Sequence, residues 1–287
     1  MDTYPLAGRT VRRIGFGAMQ LPGPGVFGPP RDHDAAVAVL RRAVELGVNH
    51  IDTAQYYGPD VSNDLIREAL HPYPEDLALV SKVGGARNDK GDWTPAQTPA
   101  ELRSGVEDNL RSLGVEQLTA VNLRLMPSED GGAPLVPLED QLGEMVALRD
   151  EGKIAGIGIS TASLEQVDQA IETAGIVCVQ NAFSLVDQSD AAVLDRCHDA
   201  GIAYVPYFHL GSAFPGMPKV TDNAAVQSVA ERLGATPAQV GLAWLLAHRD
   251  NILLIPGTSS VAHLEENLAA GDLELSEADV KELETSV

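Results

Sequence analysis

The chain has 287 residues, 44% of them hydrophobic, with a formal net charge of −21 at pH 7. This is enough chain for one large core, and a single domain over residues 1–287 is expected. The absence of basic clusters in so acidic a chain excludes a nucleic-acid or anionic-membrane partner. Apolar runs such as Ala243–Ala247 are too short to span a bilayer, and MDTYPLAGRTVRRIG has no apolar signal core. Cys178 and Cys197 have no metal or redox spacing; they read as buried thiols in a reducing, cytoplasmic setting.

The first dozen residues, turning at Ala7-Gly8-Arg9, read as a short hairpin leading into IGFGAM (14–19). After a Pro/Gly-rich loop, the spacing of Val37, Leu40, Val44 and Leu46 gives an amphipathic helix ending at Gly47. Strand Asn49–Ile51 and a helix over Ser62–Leu70 follow. Leu77–Val80 reads as a strand ending at Ser81-Lys82, followed by a long polar loop containing Trp93 and a helix over Pro99–Leu113. Strand Thr119–Leu123 delivers Arg124; a loop (126–137) and helix Leu138–Arg149 lead to strand Ile154–Ile159 and Ser160. A helix over Leu164–Thr173, strand Ile176–Val179 with Gln180-Asn181, a helix near Asp190–Ala200 and strand Ile202–Pro206 continue the alternation. Two helices (about 222–233 and 237–248), strand Ile252–Ile255, helix Val261–Ala270 and a tail helix over Ser276–Glu284 complete it.

About eight strand–helix units without a linker imply a parallel sheet with right-handed crossovers, closed into a (β/α)₈ TIM barrel. The expected fold is therefore α/β, a barrel with an N-terminal hairpin and a C-terminal tail helix. An open doubly wound sheet is the alternative, but Gly15-x-Gly17 lacks the remainder of a dinucleotide fingerprint.

In a barrel the strand ends converge, bringing Asp52, Tyr57, Lys82 and Arg124 together. An unpaired buried ammonium costs several kcal/mol, so Asp52 is the expected partner of Lys82. A nearby cation lowers a phenol's pKa from about 10, and such a tyrosine can protonate a carbonyl oxygen. The alternative is a structural ion pair beside an incidental tyrosine.

In order, IGFGAM, NHIDTAQYYG, LVSKVGG, GIGIS, VQNAFSL and IPGTSSVAHLEENL resemble the motifs of the aldo-keto reductases, from about Ile14 to Ala270. The resemblance implies an NAD(P)H-dependent carbonyl reductase on a (β/α)₈ barrel, taking a small-molecule carbonyl substrate. It implies Tyr57 as general acid, tuned by Lys82 and Asp52. Cofactor contacts would come from Gly17, Ala18, Met19, Asp52, Ser160, Thr161, Gln180, Tyr207, Phe208 and Leu210, with Tyr207 against the nicotinamide. The stretch Gly257, Thr258, Ser259, Ser260, His263, Glu266 and Asn267, at a helix N-terminus, would meet the adenosine phosphates.

Three features depart from that pattern. Arg124 stands where the family usually ends its fourth strand with histidine; it stays cationic and offers five donors. The alternative is that it pairs with Glu129 or Asp130. Thr161 replaces an asparagine, and Gly257, Ser259 or Ser260, and His263 replace the usual cations at the 2′-phosphate. NADPH is the expected cofactor, with NADH possible, and no metal is expected. Phe27, Trp93, Met126, Phe208, His209 and Phe214 are candidate substrate walls. NLR at the fourth strand and YGPDVSNDLIREAL resemble the bacterial branch that includes pyridoxal reductases, making pyridoxal the leading substrate. A cofactor-binding sensor with little turnover and a metal-dependent hydrolase are the rivals. Oligomeric state is not readable, though monomers are usual in much of the family.

Overall fold

The computed structural model describes residues 2–127, 136–211 and 216–287. Strands β1 (Thr3–Leu6) and β2 (Arg9–Arg12) form the expected antiparallel hairpin. The alternation then runs β3 (Phe16–Gly17), α1 (His33–Glu45), β4 (His50–Asp52), α2 (Val61–Leu70), β5 (Ala78–Arg87), β6 (Trp93–Ala96) and α3 (Pro99–Leu113). It continues with β7 (Leu118–Arg124), α4 (Leu138–Asp150), β8 (Ile154–Ser160), α5 (Leu164–Ala174), β9 (Cys178–Gln180), α6 (Ala191–Asp199) and β10 (Ala203–Tyr204). Helices α7 (Ala224–Leu233), α8 (Pro237–His248), α9 (Val261–Ala269) and α10 (Glu277–Glu284) complete the chain.

The barrel strands β10-β9-β8-β7-β5-β4-β3 lie side by side and parallel. The eighth position is the expected segment Ile252–Ile255, which closes the ring through bridges and not as an assigned strand. Leu253 N–H donates to the Tyr204 carbonyl at 2.9 Å, Leu254 N–H to Arg13 at 2.7 Å, and Gly15 N–H to Leu254 at 2.8 Å. Farther along this seam the backbones crowd. A Cβ on Gly257 would sit 2.5 Å from the Gly17 carbonyl, so the approach requires a residue without one.

Period-two alternation sorts the side chains. Ile51, Leu79, Val121, Ile157 and Val179 join the large core beneath the helices. Ala78, Val80, Ala120, Cys178, Ala203 and Leu253 form a second cluster with Leu6 and Val11 of the hairpin, which plugs the barrel's amino end. The helices keep their expected places; α3 carries a capping box, with Thr98 Oγ1 accepting from Glu101 N–H at 3.3 Å and Glu101 Oε2 accepting from Thr98 N–H at 2.9 Å. One expected loop is different. Strand β5 runs past Lys82 to Arg87 and folds back against β6, so Trp93 begins a strand of an antiparallel arm. Gly84 permits this: its φ is +95°, and a Cβ there would collide with the Arg124 carbonyl.

Candidate active site

Strand β4 ends at Asp52 and β5 carries Lys82 on the same inward row, so register alone brings them together. Lys82 Nζ donates to Asp52 Oδ1 and, at 3.0 Å, to the Thr53 carbonyl. Gln180 Nε2, from the end of β9, donates to Asp52 Oδ2 at 2.9 Å. Both members of the ion pair are buried, and each carboxylate oxygen has a donor.

Tyr56 and Tyr57 meet edge to face at 5.5 Å, and Trp93 of the arm stands edge-on to Tyr56 at 5.3 Å. With Ala54 and Val26 they form a small apolar cluster at the carboxyl end of the barrel. The two phenols differ. The Tyr56 hydroxyl is sealed and makes no well-formed hydrogen bond. The Tyr57 ring lies 5.1 Å from Lys82 Nζ, and among the described residues its hydroxyl has no hydrogen-bond partner. Burial pushes the Tyr57 phenol above its usual value and Asp52 adds to the rise, while Arg124 and Arg87 oppose it.

Two arginines thus join Lys82 among the cations around Tyr57; Lys82 donates to Asp52 and its ammonium addresses the ring. Arg87 did not stand out in the sequence because β5 was expected to end at Lys82. The signal that could have found it is a lone arginine five residues past that lysine, ahead of a tryptophan.

Arg124 ends β7 with its guanidinium 5.2 Å from the Trp93 ring, where it opposes the burial-driven rise in the Tyr56 pKa. Glu129 and Asp130, its suggested partners, lie outside the described residues, as does Phe214. Met126 and Tyr56 approach the same face of Gly85, and Phe27 packs on Gly91 at the arm's tip. Phe27, Trp93 and Met126 are therefore gathered around the arm.

On the other half of the mouth, Ser160 is buried, with its hydroxyl 3.5 Å from that of Thr161. Thr161 and Phe208 hold positive φ values of 60° and 57°, unusual for residues with side chains. Tyr207 and Phe208 meet edge to face at 5.0 Å and line a cavity of about 230 Å³ with Asp187 and Met217. His209 keeps a buried Nδ1 without a partner. Leu210 is partly buried and packs its side chain against the core.

Thr258 Oγ1 accepts from Ser260 N–H at 3.0 Å, and Ser260 caps α9 by accepting from His263 N–H at 3.4 Å. Ser259 and His263 are exposed, and their side chains make no hydrogen bond among the described residues. Glu266 is engaged elsewhere, its Oε1 accepting from Thr236 Oγ1 at 2.6 Å; Asn267 is buried beside it. Met19, Gln20 and Ser259 share a cavity of about 290 Å³, and the neighbouring Ala18 is buried. The donor set fits a nicotinamide dinucleotide: the Ser160 hydroxyl and the side-chain oxygen of Gln180 suit a carboxamide. The first turn of α9, which has no acidic side chain, suits phosphate.

Residues 13–287 match the Aldo/keto reductase family, and the chain belongs to that family. It is 50% identical to pyridoxine 4-dehydrogenase of Escherichia coli (strain K12) over 276 residues, 96% of this chain and 95% of that one. A thermostable aldo-keto reductase crystallised with the inhibitor epalrestat superposes with a TM-score of 0.84 at 28% identity, covering 100% of both chains. An aldo/keto reductase from Klebsiella pneumoniae in complex with NADP and acetate shares the fold, with a TM-score of 0.82, 24% identity and coverage of 99% and 94%. The protein is accordingly an NAD(P)H-dependent oxidoreductase acting at carbonyl and alcohol groups. Among the described residues no cluster of His, Cys, Asp or Glu is placed to hold a metal, and no helix is long and apolar enough to cross a membrane.

Proposed function

We propose that the chain is an NADPH-dependent reductase of small aldehydes and ketones, with pyridoxal, reduced to pyridoxine, as the leading substrate. The observation that carries this reading is the Tyr57 phenol, buried at the strand ends beside the Asp52–Lys82 pair without a hydrogen bond of its own. A reduced nicotinamide held by Ser160, Thr161 and Gln180 would supply the hydride that the carbonyl carbon needs. Tyr57 O–H donates its proton to the carbonyl oxygen, so the C=O bond becomes a CH–OH and the tyrosine is left as phenolate. Burial keeps that phenol protonated at neutral pH, which suits an acid. Arg124 and Arg87 then stabilise the anion left behind.

Asp52 and Lys82 act by position. Their pairing holds the ammonium against the Tyr57 ring, and Gln180 ties the carboxylate to the carboxamide side of the site. Ser160, Thr161 and the Gln180 carbonyl hold the carboxamide, with Tyr207 against the ring. Gly17, Ala18, Met19, Phe208 and the backbone at Leu210 line the cofactor's path. Thr258, Ser259, Ser260 and His263 receive its phosphates at the start of α9, with Gly257, Glu266 and Asn267 beside them. NADPH is favoured because Ser259 and His263 present unused polar groups there. Pyridoxal is supported by the name of the 50% identical relative and by the aromatic wall of Trp93, Phe27 and Met126.

On this reading the whole chain works in the cytoplasm as one barrel unit and as a monomer, and size-exclusion chromatography would test the monomer: elution at dimer size would overturn it. Steady-state NADPH oxidation across a panel of aldehydes tests the substrate: pyridoxal should have the highest kcat/KM, and parity with simple benzaldehydes would remove it.

A further inference from the structure

Arg87 ends β5 and spreads its guanidinium between two loops. Nη1 donates to the Gly91 carbonyl at 2.6 Å; Nη2 donates to Gly25 at 2.9 Å and to Val26 at 3.1 Å. Gly25 and Val26 belong to the loop after β3, whereas Gly91 is the tip of the β5–β6 arm. The guanidinium also stacks on Trp93, 3.4 Å from its ring centroid. Trp93 in turn covers Tyr56, and Tyr56 abuts Tyr57. One planar side chain thus joins both walls to the tyrosine pair.

Its charge is as notable as its reach. Arg42, Arg103, Arg111, Arg196, Arg232 and Arg249 each lie against a carboxylate. Among the described residues the three acceptors of Arg87 are neutral carbonyls and no carboxylate forms an ion pair with it, although the charge of Asp92 bears on it. The groups that bear on the Tyr57 phenol are Asp52 from β4, Lys82 and Arg87 from β5, Tyr56 beside it and Arg124 from β7. Asp52 is paired with Lys82 yet still raises the Tyr57 pKa, and Arg124 and Arg87 oppose that rise.

We propose that Arg87 is a positioning residue for reduction: it ties the loop after β3 to the β5–β6 arm, so that Val26 and Trp93 wall in the tyrosines, and it stacks a fixed cation on the chain of rings Trp93–Tyr56–Tyr57. The inference rests on the reductase reading above. Two substitutions separate its halves. Arg87→Lys keeps a cation but cannot bridge three carbonyls or stack as a plane. Arg87→Met keeps the alkyl length and removes both.

The experiment measures KM and kcat for pyridoxal reduction, and the pH profile of pyridoxine oxidation, in which Tyr57 must be ionised to accept the proton. Both variants should raise KM for pyridoxal by about tenfold. Only Arg87→Met should move the oxidation limb to higher pH, by about one unit, because a cation near the phenol is gone. Amide hydrogen exchange at Val26 and Gly28 should quicken in both variants, since the loop loses its tether. Wild-type KM and an unshifted limb in both variants, with only thermal stability reduced, would overturn the proposal. If Arg87→Met does not fold, Arg87→Lys carries the tether, and an added guanidinium that restores the Arg87→Ala pH limb carries the charge; an unrestored limb overturns that half. Absence of turnover in the wild type, or full turnover in Tyr57→Phe, would instead strike the reductase reading itself.

Discussion

Two arginines, one at each end of the barrel, use the same device for different ends. Arg13, near the amino end, donates to the carbonyls of Ile252 at 3.1 Å, Leu246 at 2.9 Å and Arg249 at 2.5 Å. It thereby fastens the segment before β3 to the closing segment and to the last turn of α8, where carbonyls lack helical donors. Arg87 also serves three carbonyls, but at the carboxyl end, stacked on Trp93 and close to two phenols. The first clamp ties backbone segments together away from the tyrosines, so its value is stability. The second meets the reacting end, so its value is chemistry. The lesson is positional: in a barrel, the end of the strand decides what a buried cation is for.

The sharpest way to break this contrast is at the ion pair. Lys82→Met leaves the Asp52 carboxylate buried with only Gln180 as donor, and should cost about 3–5 kcal/mol of unfolding free energy along with most of the turnover. Urea denaturation together with steady-state kinetics checks both losses. Arg13→Met comes next. It should cost on the order of 3 kcal/mol by the same denaturation measurement, through carbonyls left without donors, yet change kcat less than about twofold. A large kcat loss there would erase the distinction between the two ends.

His50 sharpens the comparison further. It lies two residues before Asp52 on β4 and, like it, is buried, but neither ring nitrogen has a well-formed hydrogen bond. Burial lowers its pKa to about 4. The unfolded chain binds this proton first, so the stability contribution is complete above about pH 6.5 and is lost as the pH falls toward 4. His50→Leu should remove up to about 3 kcal/mol of acid sensitivity in that window, read from urea midpoints between pH 4 and 7; an unchanged acid limb would contradict the assignment. The smallest effect is expected at the exposed His263. His263→Ala should weaken NADPH binding by no more than about fivefold while leaving NADH binding unchanged, as fluorescence titration would show.

Much of this was legible in the sequence because strand ends carry their own marks. Asp52, Lys82, Arg124, Ser160 and Gln180 each follow a short β-branched run, and parallel register puts them at one mouth. Helix limits were equally readable where side chains cap the backbone, as at Thr98 and Glu101. The arm was not. Gly84-Gly85 and the polar residues 87–92 carry turn signals, and β5 continues through them only because Gly84 can pass the Arg124 carbonyl. That one backbone event hid Arg87 and made Trp93 look like part of a loop. The Asp52–Lys82 pair beside Tyr57 was legible from spacing, whereas Arg87, a further cation there, was hidden with the arm.

The central claim is that Tyr57, not the sealed Tyr56, gives the proton at the arginine-lined end. Its most direct test compares wild type, Tyr56→Phe and Tyr57→Phe in NADPH-dependent pyridoxal reduction, with NADPH affinity measured alongside by fluorescence quenching. Tyr57→Phe should retain NADPH binding and lose at least about a hundredfold in kcat, while Tyr56→Phe stays within about tenfold of wild type. Equal turnover by Tyr57→Phe and wild type would contradict the account.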